Sequence, residues 1–168
     1  MTRWVVIGVC PVSNPRMAVA ECLGCDLLSG RRPVPGGIVY QSPWWVVNHV
    51  VGPLNVGTLV VVPREHVTAV SDLAEEAAVE LGPLLRRTTQ VIEALTAPEQ
   101  TYVCMWSHGE AQRKHLHFVV QPVTTTLMDR HGGLRSEQLQ AAMFNSGEHP
   151  DPVKVEEFCR QARDLFTG

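Results

Sequence analysis

The sequence has no apolar run long enough to cross a membrane. Its N-terminal apolar segment, residues 4–9, is shorter than the hydrophobic region of a typical signal peptide and is soon followed by Pro11. Long runs of basic residues are also missing, and the formal net charge is -3. These absences argue against a membrane protein, a secreted protein and a protein that binds nucleic acid polymers through a basic surface. We therefore expect a cytoplasmic protein.

Internal repeats and low-complexity segments are absent too, and 168 residues are about the length of one domain with a real core. Cysteine occurs only five times. Two of the cysteines, Cys22 and Cys25, form a Cys-x-x-Cys pattern, whereas the others stand alone. In a reducing compartment this spacing indicates metal or redox chemistry more than a structural disulfide.

Several short segments rich in β-branched and aromatic residues predict strands. They are residues 38–41, 44–51, 58–62 and 101–106, with residues 4–9 as a further short candidate. Residues 58–62 are almost entirely aliphatic, as expected for a strand that is covered on both faces.

A long helix is predicted over residues 72–95, with Asp72 as its N-cap and Glu75 as the capping-box partner. Residues at three- and four-residue spacing give it one apolar stripe that can pack on a sheet: Leu73, Ala77, Leu81, Leu84, Thr88, Val91 and Leu95. Pro83 removes one backbone donor within this pattern, so we expect a bend there and not two separate helices. Further helices are predicted at residues 136–144 and 153–166. Strands with one long helix and terminal helices predict an α+β domain.

The segment with the clearest chemical character is residues 114–122, which are predicted to form a strand with two histidines on one face. Because side chains alternate along a strand, His115, His117, Val119 and Gln121 are expected on one side. Neighbouring imidazoles suit metal binding or nucleophilic attack. The simpler alternative is a pair of hydrogen-bonded or solvent-facing histidines.

Several of these motifs, taken in order, resemble the histidine triad (HIT) superfamily. The motifs are Cys22-Leu-Gly-Cys25 with Gly30 and Pro33, Ile38-Val-Tyr40, Pro53 before Gly57, Pro63-Arg-Glu-His66-Val67, Asp72-Leu73 and His115-Leu-His117. The superfamily includes nucleotide hydrolases, nucleotidyltransferases and the galactose-1-phosphate uridylyltransferase branch. The chain resembles its zinc-containing members, and the resemblance implies a relation to the uridylyltransferase branch. The resemblance implies a HIT-like fold, with an antiparallel sheet of about five strands, one long helix packed on it and C-terminal helices.

The resemblance also implies a domain organisation and an assembly. Residues 21–125 would form the HIT-like domain, residues 1–20 an N-terminal extension, and residues 126–168 a C-terminal helical extension packed on the same domain. Members of the superfamily are commonly homodimers, so we expect a homodimer here.

In metal-containing members, four residues at matching positions bind zinc, and here they are Cys22, Cys25, His66 and His115. Two thiolates and two imidazoles make a closed tetrahedral set, which usually serves structure because no coordination position is left for water. The resemblance therefore implies a structural zinc ion. Without the resemblance, a reduced cysteine pair near two unrelated histidines would be the simpler interpretation. If His115 binds metal, His117 is left for chemistry.

The resemblance implies that His117 attacks the α-phosphorus of a nucleotide and forms a nucleotidyl-histidine intermediate, which water or another acceptor resolves. Imidazole suits this step because it is partly neutral at physiological pH and leaves readily once it is protonated. The second ring nitrogen then needs a carbonyl or a similar acceptor to hold the attacking tautomer. The sequence does not show that partner.

Three positions depart from the pattern of the superfamily. The third triad position, usually His or Gln, is Val119, and Gln121 follows on the same predicted face. The acidic residue that binds ribose hydroxyls in many members corresponds to Val50, with the polar Asn48 nearby. The small hydroxyl residue that usually stands three positions before the first histidine is Gln112.

These departures define the candidate substrate-binding residues. Gln112, Gln121 and Asn48 carry amides that can donate to phosphate or hydroxyl oxygens. Ser107 and His108 belong to the polar loop that precedes the histidines. His108 is a candidate general acid, although an exposed loop histidine is an equal alternative.

Two classes of function remain open. The first is an enzyme that hydrolyses or transfers a small nucleotide, or a related phosphate ester or phosphoramidate, through His117, and a non-nucleotide substrate is a variant of it. The second is a zinc-stabilised binding or scaffold protein with little or no catalysis, which Val50 and Val119 make credible. The motifs favour the enzyme.

Overall fold

The computed structural model describes residues 21–105 and 114–168. Its elements in chain order are α1 (Leu23–Leu28), β1 (Ile38–Gln41), β2 (Trp45–His49), β3 (Leu59–Pro63), a 3-10 turn (Val70–Asp72), α2 (Glu75–Thr96), β4 (Gln100–Cys104), β5 (Phe118–Val123), α3 (Thr125–Arg130), α4 (Ser136–Ser146) and α5 (Pro152–Thr167). The predicted strand at residues 4–9 and the predicted extension over residues 1–20 lie outside the described residues. None of the described helices is long and apolar enough to span a membrane.

The strands form one five-stranded sheet in the order β1-β2-β3-β5-β4. Every neighbouring pair is antiparallel. The predicted fold class, an α+β domain built on an antiparallel sheet with one long helix, is therefore confirmed. Because the chain passes from β3 through α2 to β4 and then back to β5, the segment that carries the histidines ends up beside β3 at the centre of the sheet.

Side chains alternate between two apolar layers, one on each face of the sheet. On the first face, Val47 and Val61 pack into a core with α2 and α5. On the second face, Val60 and Val119 pack into a smaller core with residues of α3 and α4. Trp45 anchors the first layer, because its indole Nε1 donates to the carbonyl of Ala77 in α2 at 2.9 Å. The sheet is therefore covered on both sides by helices.

The predicted N-cap of the long helix is wrong. The helix begins at Glu75 and its N-cap is Ala74, which makes no side-chain capping bond. Asp72 instead ends a 3-10 turn that precedes the helix. Pro83 lies inside one continuous helix, as predicted, and the expected bend at Pro83 stays a prediction.

The predicted strand over residues 114–122 begins later than expected, at Phe118. The ladder between β3 and β5 ends at the pair Val61 and Phe118. Beyond this pair, the carbonyl of Pro63 accepts a hydrogen bond from the His115 side chain at 3.1 Å. The imidazole therefore replaces the backbone N–H that a longer β5 would have offered to Pro63. Both histidines therefore lie in the segment that leads into β5. The short helix α3 has no counterpart in the sequence-based prediction.

A candidate metal centre beside a histidine-lined cavity

Four cysteine and histidine side chains from three segments converge at one end of the sheet. Cys22 is the N-cap of α1, where its Sγ accepts from the backbone N–H of Cys25, and Cys25 lies in the first turn of that helix. His66 follows β3, and His115 precedes β5. Their donor atoms all lie within 4.8 Å of one another. The structure thus brings together the four predicted ligands.

The spacing of these donor atoms fits a tetrahedral zinc ion. Zinc bonds of about 2.3 Å to sulfur and about 2.0–2.1 Å to nitrogen place adjacent S and N ligands about 3.6 Å apart in a tetrahedron. The Sγ atom of Cys22 lies 3.5 Å from Nδ1 of His66 and 3.4 Å from Nδ1 of His115. The corresponding distances from Sγ of Cys25 are 3.3 and 3.7 Å.

The surroundings of His115 prepare it to act as a metal ligand. Its Nε2 donates to the Pro63 carbonyl, which leaves the lone pair of Nδ1 directed at the two sulfur atoms. Burial lowers the pKa of His115 to about 4, so the imidazole is neutral at neutral pH. A ligand histidine held by a carbonyl through its second nitrogen is the usual arrangement in metal sites.

Three of the four residues of the cluster are buried, and His66 is half-buried. Cys22 and Cys25 are 0% and 4% exposed, and His115 is 6% exposed. Four protein donors fill a tetrahedral shell, so the donor set suits a structural ion and leaves no position for a reacting water.

His117 lies directly beside this cluster and is half-buried. Its Nδ1 donates to the backbone carbonyl of His115 at 2.9 Å. This bond supplies the acceptor that the sequence could not identify. It assigns the neutral tautomer in which Nε2 carries the lone pair.

The His117 ring lines a cavity of about 580 Å³ on the second face of the sheet. That volume is within the range of small-molecule sites. The walls come from the β2–β3 connection, the start of β5 and helix α4, namely Val50, Val51, Gly52, Leu54, His117, Val119, Glu137, Gln140, Ala141 and Phe144. Most of these residues are apolar, and His117, Glu137 and Gln140 are the described lining side chains that carry hydrogen-bonding groups.

The predicted substrate-binding residues fall into two groups. Ser107, His108 and Gln112 lie outside the described residues. Asn48 and Gln121 are described and buried, at 3% and 2% exposed, and neither is among the residues that line the cavity.

Both of these amides have partners within the protein. Nδ2 of Asn48 donates to the His49 carbonyl at 2.7 Å. Nε2 of Gln121 donates to Oδ1 of Asn55 at 2.9 Å and contacts the Met143 sulfur at 3.2 Å. Their predicted contact with a substrate stays a prediction.

Sequence reasoning missed the contribution of α4 to the cavity. Glu137 and Gln140 lie one helical turn apart and both line the cavity. One signal was present, because Gln140 shares the buried stripe of α4 with Leu139 and Met143. A glutamine within an apolar stripe is unusual enough to mark a candidate functional residue.

Solved histidine triad proteins have a similar fold. A HIT-like protein from Bartonella henselae, described as involved in cell-cycle regulation and as having an unknown ligand, is 14% identical with a TM-score of 0.65, over 86% of this chain and 96% of that chain. A zinc-bound histidine triad family protein from Mycobacterium smegmatis is 19% identical with a TM-score of 0.62, over 88% and 94%. A hypothetical histidine triad nucleotide-binding protein from Sulfolobus tokodaii is 15% identical with a TM-score of 0.64, over 87% and 92%.

At these identities the likeness establishes the HIT-like fold, which confirms the predicted architecture, and it does not establish an activity. No family model and no curated protein sequence matches the chain. The relation to the uridylyltransferase branch stays a prediction, because the similar structures described above are named as HIT or histidine triad proteins.

Proposed function

We propose that this protein, which has the HIT-like fold, hydrolyses or transfers a nucleotide or a related phosphate ester or phosphoramidate through His117. The observation that carries this proposal is the bond from Nδ1 of His117 to the His115 carbonyl. It leaves Nε2 as the nucleophilic atom of a ring that lines a cavity of small-molecule size.

The proposed reaction has two displacements at phosphorus. In the first, Nε2 of His117 attacks and forms a P–N bond, while the bond to the leaving oxygen or nitrogen breaks and the leaving group takes the electron pair and a proton from solvent. In the second, water or another acceptor attacks the same phosphorus and releases a proton to solvent, and the P–N bond breaks with its electron pair returning to Nε2. The His115 carbonyl stabilises the positive charge that develops on the His117 ring in the first step.

We also propose that Cys22, Cys25, His66 and His115 hold a structural zinc ion. The donor distances, the set of four protein donors and the burial of three of them support this assignment. A bound ion would supply rigidity, because it would join α1 to the segments that follow β3 and precede β5. It would also fix the carbonyl of His115, which orients His117.

For the whole molecule we propose a cytoplasmic homodimer. A reducing compartment would keep the thiols of the cluster available for metal. The outer edge of β4 supports self-association, because this strand is at the end of the sheet and Val103 and Met105 are 47% and 48% exposed there. Nothing in this assembly requires a nucleic acid polymer or a membrane.

A specific observation favours a second candidate, a zinc-stabilised binding protein without efficient catalysis. Val50 and Val119 both line the cavity, where the resemblance leads us to expect a carboxylate and a donor to phosphate. Neither valine side chain can form a hydrogen bond.

Intact-mass spectrometry distinguishes the two candidates. The wild type, His117→Ala and the control His149→Ala, which changes an exposed histidine, are incubated with adenosine 5′-phosphoramidate, diadenosine polyphosphates and nucleotide sugars. The proposed enzyme shows a nucleotidyl adduct that survives at neutral pH, is lost in acid, is absent from His117→Ala and persists in His149→Ala. No adduct and no turnover of any compound would favour the binding protein.

A further inference from the structure

The two cysteines at the start of α1 have the backbone spacing of a disulfide as well as that of a metal site. The residues between them, Leu23 and Gly24, both belong to α1. Residues three apart in a helix have Cα atoms about 5 Å apart. Cα atoms joined by a disulfide are usually about 4.4–6.8 Å apart. The backbone therefore already brings Cys22 and Cys25 within bonding reach of each other.

The side chains of both cysteines turn toward the same point. Sγ of Cys22 accepts from the backbone N–H of Cys25 at 3.5 Å, so it lies over the first turn of the helix. The two sulfur atoms and the ring nitrogens of His66 and His115 all lie within 4.8 Å of one another. Both cysteines are reduced in this structure. A bond between the sulfurs would thus need only a small rotation of the side chains.

The cluster also has a side from which a small oxidant can enter. His66 is half-buried, whereas Cys22, Cys25 and His115 are buried. Helix α1 has only six residues, and so short a helix opens locally more readily than a long one. An uncharged molecule of the size of hydrogen peroxide can therefore reach the sulfurs on the side of His66.

We propose that Cys22 and Cys25 form a reversible disulfide in the presence of hydrogen peroxide, and that this disulfide and a bound zinc ion are mutually exclusive states of the cluster. The inference rests on the proposed zinc assignment, and its effect on turnover rests on the proposed function. Zinc binds thiolates, and a sulfur that is bonded to another sulfur carries no thiolate charge. Oxidation would leave His66 and His115 as the remaining ligands of the four, too few for a structural site.

The proposed oxidation has two steps. One thiolate attacks an oxygen of hydrogen peroxide, so that an S–O bond forms, the O–O bond breaks and the departing hydroxide takes a proton from solvent. The second thiolate attacks the sulfur of this sulfenic acid, so that the S–S bond forms and a second hydroxide leaves and is protonated. The two thiolates lose two electrons, and the peroxide gains them and becomes two water molecules. A neighbouring thiol that resolves the sulfenic acid favours the disulfide over sulfinic acid.

The same change would affect His117 through His115. In the metal-binding state, Nδ1 of His115 is directed at the sulfurs of α1 and its Nε2 donates to the Pro63 carbonyl. With the sulfurs bonded to each other, the ring keeps the Pro63 bond and loses its link to α1. The His115 carbonyl, which accepts from His117, is then held less firmly. Turnover through His117 should fall by about tenfold, as changes around metal ligands commonly cause.

Mass spectrometry and a chromogenic zinc chelator test the disulfide itself. Zinc-loaded wild type is titrated with hydrogen peroxide beside two variants, Cys25→Ser and the control Cys104→Ser, which changes a cysteine outside the cluster. In wild type and Cys104→Ser we expect the loss of two hydrogen atoms, a Cys22–Cys25 bond in peptide maps and an equimolar release of zinc. Dithiothreitol with added zinc should reverse all three changes. Cys25→Ser should not form this bond.

Two results would overturn the inference. One is zinc that stays bound in excess peroxide, and the other is sulfinic acid at Cys22 or Cys25 without the disulfide. Formation of the disulfide in a protein that binds no zinc would support the redox pair and contradict the zinc assignment.

Turnover separates this inference from the proposed function. Hydrolysis of adenosine 5′-phosphoramidate is measured before oxidation, after it and after reduction with zinc, and circular dichroism checks that the oxidised protein is folded. We expect a fall of about tenfold that reduction restores. Unchanged turnover in fully oxidised protein would overturn the effect on His117. Absence of turnover before oxidation would contradict the proposed function, whereas the mass and the release of zinc would still decide whether the redox pair exists.

Discussion

Residue His115 joins the cysteine–histidine cluster to the candidate nucleophile through three separate groups. Its Nδ1 lies 3.4 Å from the Cys22 sulfur, and its Nε2 donates to the Pro63 carbonyl at the end of β3. Its own backbone carbonyl accepts from His117. Any shift of the His115 backbone therefore changes the orientation of the His117 ring. A structural metal ion at this position would affect catalysis without touching the substrate.

Gly24, inside the Cys-x-x-Cys turn, gives the first prediction. A Cβ atom at this position would lie 2.6 Å from Nδ1 of His115 and 2.8 Å from its Cγ. Gly24→Ala should therefore displace the His115 ring and weaken zinc binding by about tenfold or more, as changes next to metal ligands commonly do. Competition with a chromogenic chelator measures this affinity.

Gly82→Ala is the matched control for that prediction, because a Cβ at Gly82 would have no neighbour within 4 Å among the described residues. It should leave zinc affinity unchanged. Equal affinity in Gly24→Ala and wild type would show that the His115 ring does not have to occupy this position.

His49 gives a prediction about pH. It is buried at the end of β2, where Nδ1 donates to the Val50 carbonyl and Nε2 accepts from the Gly57 N–H. Burial lowers the pKa of His49 in the folded protein. Below about pH 6.5, His49 is therefore protonated in the unfolded chain while it is still neutral in the folded one. The stability that neutral His49 provides is complete above that pH and is lost as pH falls.

The stability difference between wild type and His49→Gln should therefore shrink between pH 8 and pH 5.5, by at most about 1.4 kcal/mol per pH unit below 6.5. Urea unfolding at several pH values measures it. Both proteins carry the same cysteine–histidine cluster, so acid effects on the cluster cancel in the difference. A difference that is constant or grows on acidification would contradict this prediction.

At the residue scale, the sequence was informative where a local motif carries the chemistry. Cys22, Cys25, His66 and His115 stand in recognisable short patterns, so their convergence was predictable from the resemblance. Gln140 belongs to no such motif, and its one signal is its place in the buried stripe of α4. Its position depends on how α4 packs against strands that lie far away in the chain, and no spacing rule encodes that contact.

Element types were predicted better than element ends. The strand at residues 38–41 matches β1, and the remaining predicted strands and helices that are described overlap observed ones. The ends differ where tertiary contacts overrule local preference. Asp72 is a good N-cap residue, yet the chain makes a 3-10 turn there and begins α2 only after Ala74. Likewise, β5 starts at Phe118, although β3 continues to Pro63, because the Pro63 carbonyl accepts from the His115 side chain and not from a strand N–H.

The uncapped start of α2 gives a prediction at this scale. Ala74 has an extended ψ of 148° and no side-chain acceptor for the first helical N–H groups. Ala74→Ser should supply one and raise the free energy of unfolding by about 0.5–1 kcal/mol. Asp72→Ala, at the position that the sequence favoured, should change it by less than about 0.5 kcal/mol. Urea unfolding of both variants measures these changes. A larger loss of unfolding free energy in Asp72→Ala would show that Asp72 is the functional cap after all.

Across the whole molecule, the larger apolar core and the cavity lie on opposite faces of the sheet. The larger apolar layer lies between the sheet and helices α2 and α5, whereas the cavity opens on the face that carries α3 and α4. Substitutions in the cavity walls can therefore alter ligand binding with little effect on the main core. The mass-spectrometric test with His117→Ala can therefore report on chemistry with little effect on the main core.

Removal of the proposed zinc ion should lower stability without complete unfolding. The cluster joins three chain segments, and structural zinc contributes on the order of 10 kcal/mol in small domains. Here a large apolar core remains, so we expect a loss of about 3–5 kcal/mol and a fall in melting temperature of roughly 10 °C or more. Elemental analysis before and after chelation measures the metal content, and calorimetry measures the loss of stability and the fall in melting temperature.

Cys25→Ser should reproduce the effect of chelation, and the control Cys104→Ser, outside the cluster, should retain zinc. A protein that contains no metal and melts at the same temperature after chelation would contradict the zinc assignment.

The edge of the sheet gives the last prediction. In the described part of the chain β4 pairs only with β5, so its other edge presents unpaired backbone groups beside the exposed Val103. Pairing of two β4 strands would satisfy these groups and extend the sheet across a twofold axis.

Light scattering should therefore report a dimer for the wild type and a folded monomer for Val103→Lys, since charges placed on a strand edge oppose pairing. Val79→Lys, which adds the same charge at an exposed position of α2, should remain dimeric. A dimer in both variants would place the contact on another surface, and a monomeric wild type would show that one chain suffices to build the site.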